Sequence, residues 1–235
     1  MMVASRPSSR LYRPYRHFCA MARSLELLGE RWSLLVVRDL LLGPRRFSDL
    51  ARSLVGITPT RLTERLRRLQ AVGVVERDRR QGRREVWYRL TEAGHDLGPV
   101  VDALTLWGIQ HASPAVVPGE PVRPEHVMIG AKVWLTWRQA RPRRPVRWVW
   151  RFTADADESY TLRFDGTAWK LTREAAGEDA AQPDVVVHTT PEAWARFLTA
   201  PAPKRRLPRR GIGLTATPAA MAELAAAFDA SLQAG

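Results

Sequence analysis

Apolar positions recur along this chain at two periods, and the switches between them lay out its elements. Cys19 to Leu28 carries its apolar residues at helical spacing and stops at Gly29. Trp32 to Leu42 is nearly all apolar and is stopped by Gly43-Pro44. Phe47 to Leu54 predicts a short third helix. A fourth opens at Thr58-Pro59, a capping hydroxyl before a first-turn proline. Leu62, Leu66 and Leu69 recur in it at i, i+4 and i+7, and Gly73 ends it. VVERD and REVWYRL then read as two strands joined by the turn Arg79–Arg84, RRQGRR. Thr91 caps a helix running to Trp107, with Leu97, Val100, Val101, Leu104 and Trp107 on one side.

Pro114, Pro118, Pro121 and Pro124 interrupt the pattern, and proline at that density stops helices and stiffens a connector. Beyond it, residues 125–141 predict a helix with Val127, Ala131, Trp134 and Leu135 on one face. Strands are expected at Val146–Thr153, Tyr160–Asp165, Ala168–Arg173, Asp184–Thr189 and Gly211–Thr215. Helices are expected at Pro191–Leu198 and Ala219–Leu232. Strand alternation sends Trp148, Trp150 and Phe152 to one face, Val149 and Arg151 to the other. The expected organisation is a basic arm (residues 1–16), a helical domain with a hairpin (17–113), a Pro-rich linker (114–124) and an α+β domain (125–235).

Composition changes the picture in one respect. Apolar residues make up 45% of the chain, enough for a real core, but 37 Lys+Arg against 24 Asp+Glu leave a net charge of +13. Lys132, Lys170 and Lys204 are the only lysines; the other 34 bases are Arg. Codon bias explains the shortage of Lys but not the net charge, because the same bias supplies acids. The charge is concentrated early: residues 1–115 hold 20 Arg against 11 acids, whereas residues 116–235 hold 17 bases against 13 acids. A positive field of this kind suits an anionic partner, nucleic acid first.

Other chemistries find little support. Cys19 is the single cysteine, which excludes an intrachain disulfide and multi-cysteine metal sites. The five histidines have no ligand-like spacing, and neither a metal nor a cofactor is expected. No nucleophile–base pair, phosphate-binding glycine loop or paired carboxylates emerge; Asp155, Asp157 and Glu158 read as a solvated acidic turn, so the chain is not expected to be an enzyme. No apolar run approaches the ~20 residues that cross a bilayer, and a soluble, cytoplasmic protein without a membrane partner is expected.

Helices followed by a hairpin form the order of a winged helix-turn-helix, in which a helix fits the major groove and a hairpin tip reaches phosphates. On the fourth helix Arg61, Arg65 and Arg68 form a stripe away from the leucines, flanked by Thr60, Thr63, Glu64 and Arg67. Arg is shaped to grip phosphate or guanine bidentately. The expected DNA-binding set is Arg46, Ser48, Thr58, Thr60, Arg61, Thr63, Arg65 and Arg68, with Arg79, Arg80, Arg83 and Arg84 at the hairpin tip. A solvated arginine face is the plain alternative for the helix alone.

The segments CAMARSLELLGERWSLLVVRDLLLGPRRFSDLARSL, ITPTRLTERLRRLQAVGVVER, VWYRLTEAG and LTLWG resemble the HxlR-type winged-helix regulators of bacteria, over roughly Phe18 to His111. The resemblance implies a transcription regulator, expected to be a repressor. It implies a homodimer paired through the first and last helices of this half, on a roughly palindromic operator of double-stranded DNA. It maps the recognition helix onto Thr58–Ala71 and the wing onto Arg77–Val86. The family often has a proline in the wing before the second strand; here Arg83 and Arg84 precede Glu85. Cys19 sits where several relatives carry a cysteine that senses oxidants or electrophiles, for which a small buried residue is the alternative.

DVVVHTTPEAWARFLTAP followed by GIGLTATPAAMAELAAAF resembles the sterol-carrier-protein-like fold. That implies a helix-backed sheet around a tunnel for an apolar or aromatic small molecule. Trp134, Trp137, Trp148, Trp150, Phe152, Phe164 and Trp194 are the expected ligand-lining residues, with core packing as the alternative. Arg147, Arg151 and Arg163 are expected to be solvated, as is the connector PAPKRRLPRRG, otherwise a second phosphate-contacting loop. The leading expectation is a regulator whose second domain senses that molecule. The alternative is a regulator whose second domain is structural or dimerising, with thiol sensing at Cys19. A lipid carrier is more remote.

Overall fold

Three Thr-Pro pairs start three helices by one device. Thr58, Thr190 and Thr217 each accept a backbone N–H from three residues on (Arg61 at 3.3 Å, Ala193 at 3.1 Å, Ala220 at 3.3 Å), and the proline that follows needs no helical partner for its nitrogen. The structure is a computed structural model and describes residues 15–78, 85–112, 116–153, 158–175, 182–201, 204–208 and 210–232. The chain's contacts divide after Val101 into one unit of residues 1–101 and another of residues 102–235, so the Pro-rich stretch lies within the second.

The first unit runs α1 (Ala20–Leu28), α2 (Ser33–Leu40), β1 (Arg45–Arg46), α3 (Phe47–Ser53), α4 (Pro59–Ala71), β2 (Val75–Asp78), β3 (Trp87–Leu90), α5 (Glu92–His95) and the start of α6 (Gly98–Trp107). The hairpin pairs Val75 with Leu90 and Asp78 with Trp87, and β1 adds to its other edge, giving an antiparallel sheet in the order β1-β3-β2. Its core is Val36, Val37 and Leu40 of α2, Leu50 of α3, the Leu62-Leu66-Leu69 stripe of α4, and Val75, Leu90 and Val101. Each fully buried leucine contributes about 1.5–3 kcal/mol.

In this unit two features depart from the sequence reading. The strand β1 was not expected. The helix expected from Thr91 to Trp107 is broken after His95, because Pro99 has no N–H to give the carbonyl four residues earlier. Gly94, in the short α5, lies so close to the sheet that a Cβ there would meet the Val74 carbonyl at 2.2 Å.

The second unit contains α7 (Pro124–Trp137), β4 (Val146–Phe152), β5 (Glu158–Phe164), β6 (Trp169–Ala175), β7 (Val185–Thr189), α8 (Pro191–Thr199), β8 (Arg206–Leu207), β9 (Ile212–Ala216), α9 (Pro218–Ala227) and β10 (Ser231–Leu232). Five strands form a sheet ordered β6-β5-β4-β7-β9, antiparallel except for the central β4–β7 pair; β8 and β10 make a small parallel pair. This is an α+β unit. One sheet face meets the helices: Trp150 lies 5.3 Å from Trp194 of α8, Phe228 beyond α9 stands against Trp148 and Trp150, and the Trp169 indole donates to Ala140 after α7 at 2.7 Å. The other face carries Arg147, Arg163 and Lys170, and Arg147 pairs with Glu174 at 2.9 Å. The last helix stops at Ala227, short of the expected Leu232. Arg205 there takes the Phe228 carbonyl, and Asp229 adopts φ +52, a conformation its short polar side chain tolerates. Among the described residues, no helix is long and apolar enough to cross a membrane.

Candidate nucleic-acid interface

The candidate interface is built on α4. Thr58 caps it, Leu62, Leu66 and Leu69 anchor it, and the Thr63 hydroxyl donates to its own helix at Pro59 (2.9 Å). Successive residues turn about 100° around the axis. A residue next to a leucine in sequence therefore flanks the leucine face, and the antipode of the stripe is Thr60, Glu64 and Arg67. All three are exposed, as are Thr58 and Arg61.

Arg65 and Arg68 take the other route. Both guanidinium groups ion-pair with Glu30, in the turn before α2, and Arg68 also donates to the Glu26 carbonyl at 2.7 Å. Their side chains are only 12% and 20% exposed. The structure thus brings these two arginines of the expected set inward, where they fasten α4 to the end of α1. The arginine stripe does not stand opposite the leucines, as the sequence pattern suggests. It is one residue out of step with them, so it flanks the core, and Glu30 lies too far along the chain to appear in any local pattern.

Arg46 precedes α3, whose start is fixed by the Arg46 N–H donating to Asp49 at 3.1 Å. Its guanidinium pairs with Glu85 at 2.8 Å and sits 4.7 Å over the Trp87 ring. Ser48 is exposed on α3. Arg79, Arg80, Arg83 and Arg84 lie outside the described residues. Arg67 stands exposed on the outward face with Thr60 and Glu64, whereas Arg68, nearly as far from the leucines by helical phase, is drawn inward by Glu30. Cys19 is the half-buried residue that precedes α1.

In the second unit, Trp148, Trp150 and Trp194 are fully buried, with Phe152 and Phe164 at 2% exposure. Trp150 packs on Trp194, Phe152 on Tyr160 and Phe164 on Trp169. Trp137 is exposed beside Trp134, and Trp134 lines a cavity of about 280 Å³ with Val127, Gly130, Leu198, Thr199 and Arg205. The basic connector is not wholly solvated: Arg205 and Leu207 are buried. Arg205 was hidden in the sequence among arginines of the same stretch. Asp155 and Asp157 lie outside the described residues, and Glu158 pairs with Arg173 at 2.9 Å. No cluster of three or more potential metal ligands occurs among the described residues.

Residues 27–116 match the HxlR-like helix-turn-helix family. The uncharacterized HTH-type transcriptional regulator Rv3095 of Mycobacterium tuberculosis is 41% identical over 114 residues, 47% of this chain and 69% of that protein. The uncharacterized HTH-type transcriptional regulator YkvN of Bacillus subtilis is 36% identical over 112 residues, 46% of this chain and 95% of that protein. Among solved structures, the reduced form of the transcriptional regulator YodB from B. subtilis is 32% identical over 43% of this chain and all of that one, with a TM-score of 0.37.

Proposed function

Because the chain belongs to the HxlR-like helix-turn-helix family, we propose that it is a DNA-binding transcriptional repressor. It acts as a homodimer on a two-fold operator, and its α+β unit, of sterol-carrier type, binds an apolar small molecule. The observation that carries the DNA reading is the outward face of α4: Thr60, Arg61, Glu64 and Arg67 stand exposed on a capped helix whose other side is fixed by leucines and by Glu30. Arg61 and Arg67 serve guanine edges or phosphate, Thr60 and Glu64 the neighbouring bases. Arg65 and Arg68 position the helix.

Two apolar stripes support self-association. Phe18, Met21 and Leu25, at and just before α1, are exposed at i, i+3 and i+7; Val100, Leu104 and Trp107 are exposed on α6 at i, i+4 and i+7. A second copy removes them from water. In the α+β unit, ligand binding changes operator affinity by the difference in ligand affinity between the DNA-competent and DNA-incompetent states. One observation favours a second reading, in which that unit is a scaffold: Trp150 already packs on Trp194, Trp148 on Trp169 and Phe152 on Tyr160, with all of these rings buried.

The test is selection of duplexes from a random pool by the full-length protein, followed by titration across salt. The expected result is an enriched two-fold motif, with Arg61→Ala or Arg67→Ala weakening binding. Loss of one phosphate contact flattens the salt slope by about one unit. No enriched motif, or unchanged binding by both variants, refutes the reading.

A further inference from the structure

Arg205 is 5% exposed, yet no carboxylate among the described residues bonds it. Its Nε donates to the Ala200 carbonyl (2.9 Å), one Nη to Phe228 (3.0 Å) and the other to Leu198 (2.8 Å). These are carbonyls at the ends of α8 and α9. A helix end supplies about half an elementary charge, which holds a cation without matching it to an anion. Asp229, whose charge also bears on Arg205, is bonded by Arg138 at 2.6 Å. Three hydrogen bonds leave some guanidinium N–H groups over. A buried cation in this condition is costly, and burial pulls Arg205 below the ordinary arginine pKa.

The same guanidinium lies 4.6 Å over the ring of Trp134, and both line the cavity of about 280 Å³. The rest of that wall is mainly aliphatic: Val127, Ala195 and Leu198. The Trp134 indole N–H is buried with no acceptor. A buried indole N–H normally finds a partner. The cavity thus joins apolar walls to a buried cation and to one indole N–H that has no acceptor of its own.

We infer that this cavity binds a small apolar carboxylate, its oxygens received by Arg205 and the Trp134 N–H and its hydrocarbon by the aliphatic wall. The inference rests on the reading of the second unit as ligand-binding and specifies the class of ligand.

The test titrates the full-length protein, by calorimetry and tryptophan emission, with octanoate and phenylbutyrate, and with octanol and phenylbutanol. Each alcohol keeps the apolar body of its acid and lacks the carboxylate. Each acid is expected to bind about tenfold more tightly than its alcohol. Arg205→Gln cancels that preference. Trp134→Phe keeps the ring and lowers acid affinity about fivefold, with the alcohols unaffected. Because Arg205 also ties two helix ends, its variant can lose the fold; the acid–alcohol comparison on the unaltered protein and Trp134→Phe then decide. Equal binding of acid and alcohol overturns the carboxylate assignment and leaves apolar ligand binding standing. Failure of all four to bind overturns both.

Discussion

Glu30→Ala separates two kinds of arginine that share one helix. In the folded protein the Glu30 carboxylate receives both Arg65 and Arg68, whose side chains are largely removed from water. Charge-assisted hydrogen bonds contribute about 1.5–3 kcal/mol each, and here the lower end applies because the carboxylate is about one-third exposed. Removing it also strands two largely buried cations, although Arg68 keeps the Glu26 carbonyl. The expected loss is about 2–3 kcal/mol. With an m-value of about 2 kcal/mol/M, the urea midpoint falls by about 1 M. Arg65→Ala and Arg68→Ala are each expected to lose about half of that and to leave the salt slope of DNA binding intact. Arg61→Ala and Arg67→Ala reverse the pattern: stability holds within about 0.5 kcal/mol, whereas the salt slope flattens. A midpoint for Glu30→Ala within about 0.2 M of the parent, or a flattened slope for Arg65→Ala, refutes the division of labour.

Further outcomes follow from the packing. Leu66→Ala, in the middle of the buried stripe, is expected to cost about 3 kcal/mol in urea unfolding; a loss below about 1 kcal/mol contradicts the assigned core. Leu104→Glu with Met21→Glu places charge on both exposed apolar stripes and is expected to convert the proposed dimer to monomers by light scattering without changing helicity. An unchanged mass removes these stripes from the interface. Asp165 caps the β5–β6 turn by accepting from the Thr167 hydroxyl (2.6 Å) and the Ala168 N–H (2.9 Å), with Lys170 beside it, and its carboxyl is held well below the usual range. A depressed carboxylate stabilises the fold above its unfolded pKa, near 4, and that contribution fades as pH falls toward the folded value. The stability gap between the parent and Asp165→Ala is therefore expected at pH 7 and to shrink at pH 3; a constant gap refutes the assignment.

What was legible in the sequence was whatever depends on neighbours along the chain. The Thr58-Pro59 pair placed the start of α4, the Leu62-Leu66-Leu69 stripe placed its buried face, and alternation put Trp148 and Trp150 on the face that meets the helices. Pro99 could have been read as a break, since its missing N–H is a local fact. What was not legible depended on partners remote in sequence. Glu30 captures arginines 35 and 38 residues away, and Arg205 meets carbonyls of two helices that its own basic segment gives no sign of reaching. An arginine among arginines carries no local mark of whether it faces water or a carboxylate.

The separation of duties on α4 has an evolutionary consequence. Residues 60, 64 and 67 project from the side opposite the leucines, so their side chains can be exchanged without refilling the core or rebuilding the Glu30 clasp. Such exposed substitutions usually move stability by no more than about 0.5 kcal/mol. With this face reading the operator as proposed, a duplicated gene can drift to a new operator through single, thermodynamically silent steps. Arg65 and Arg68 hold the helix in place while the outward positions are free to change.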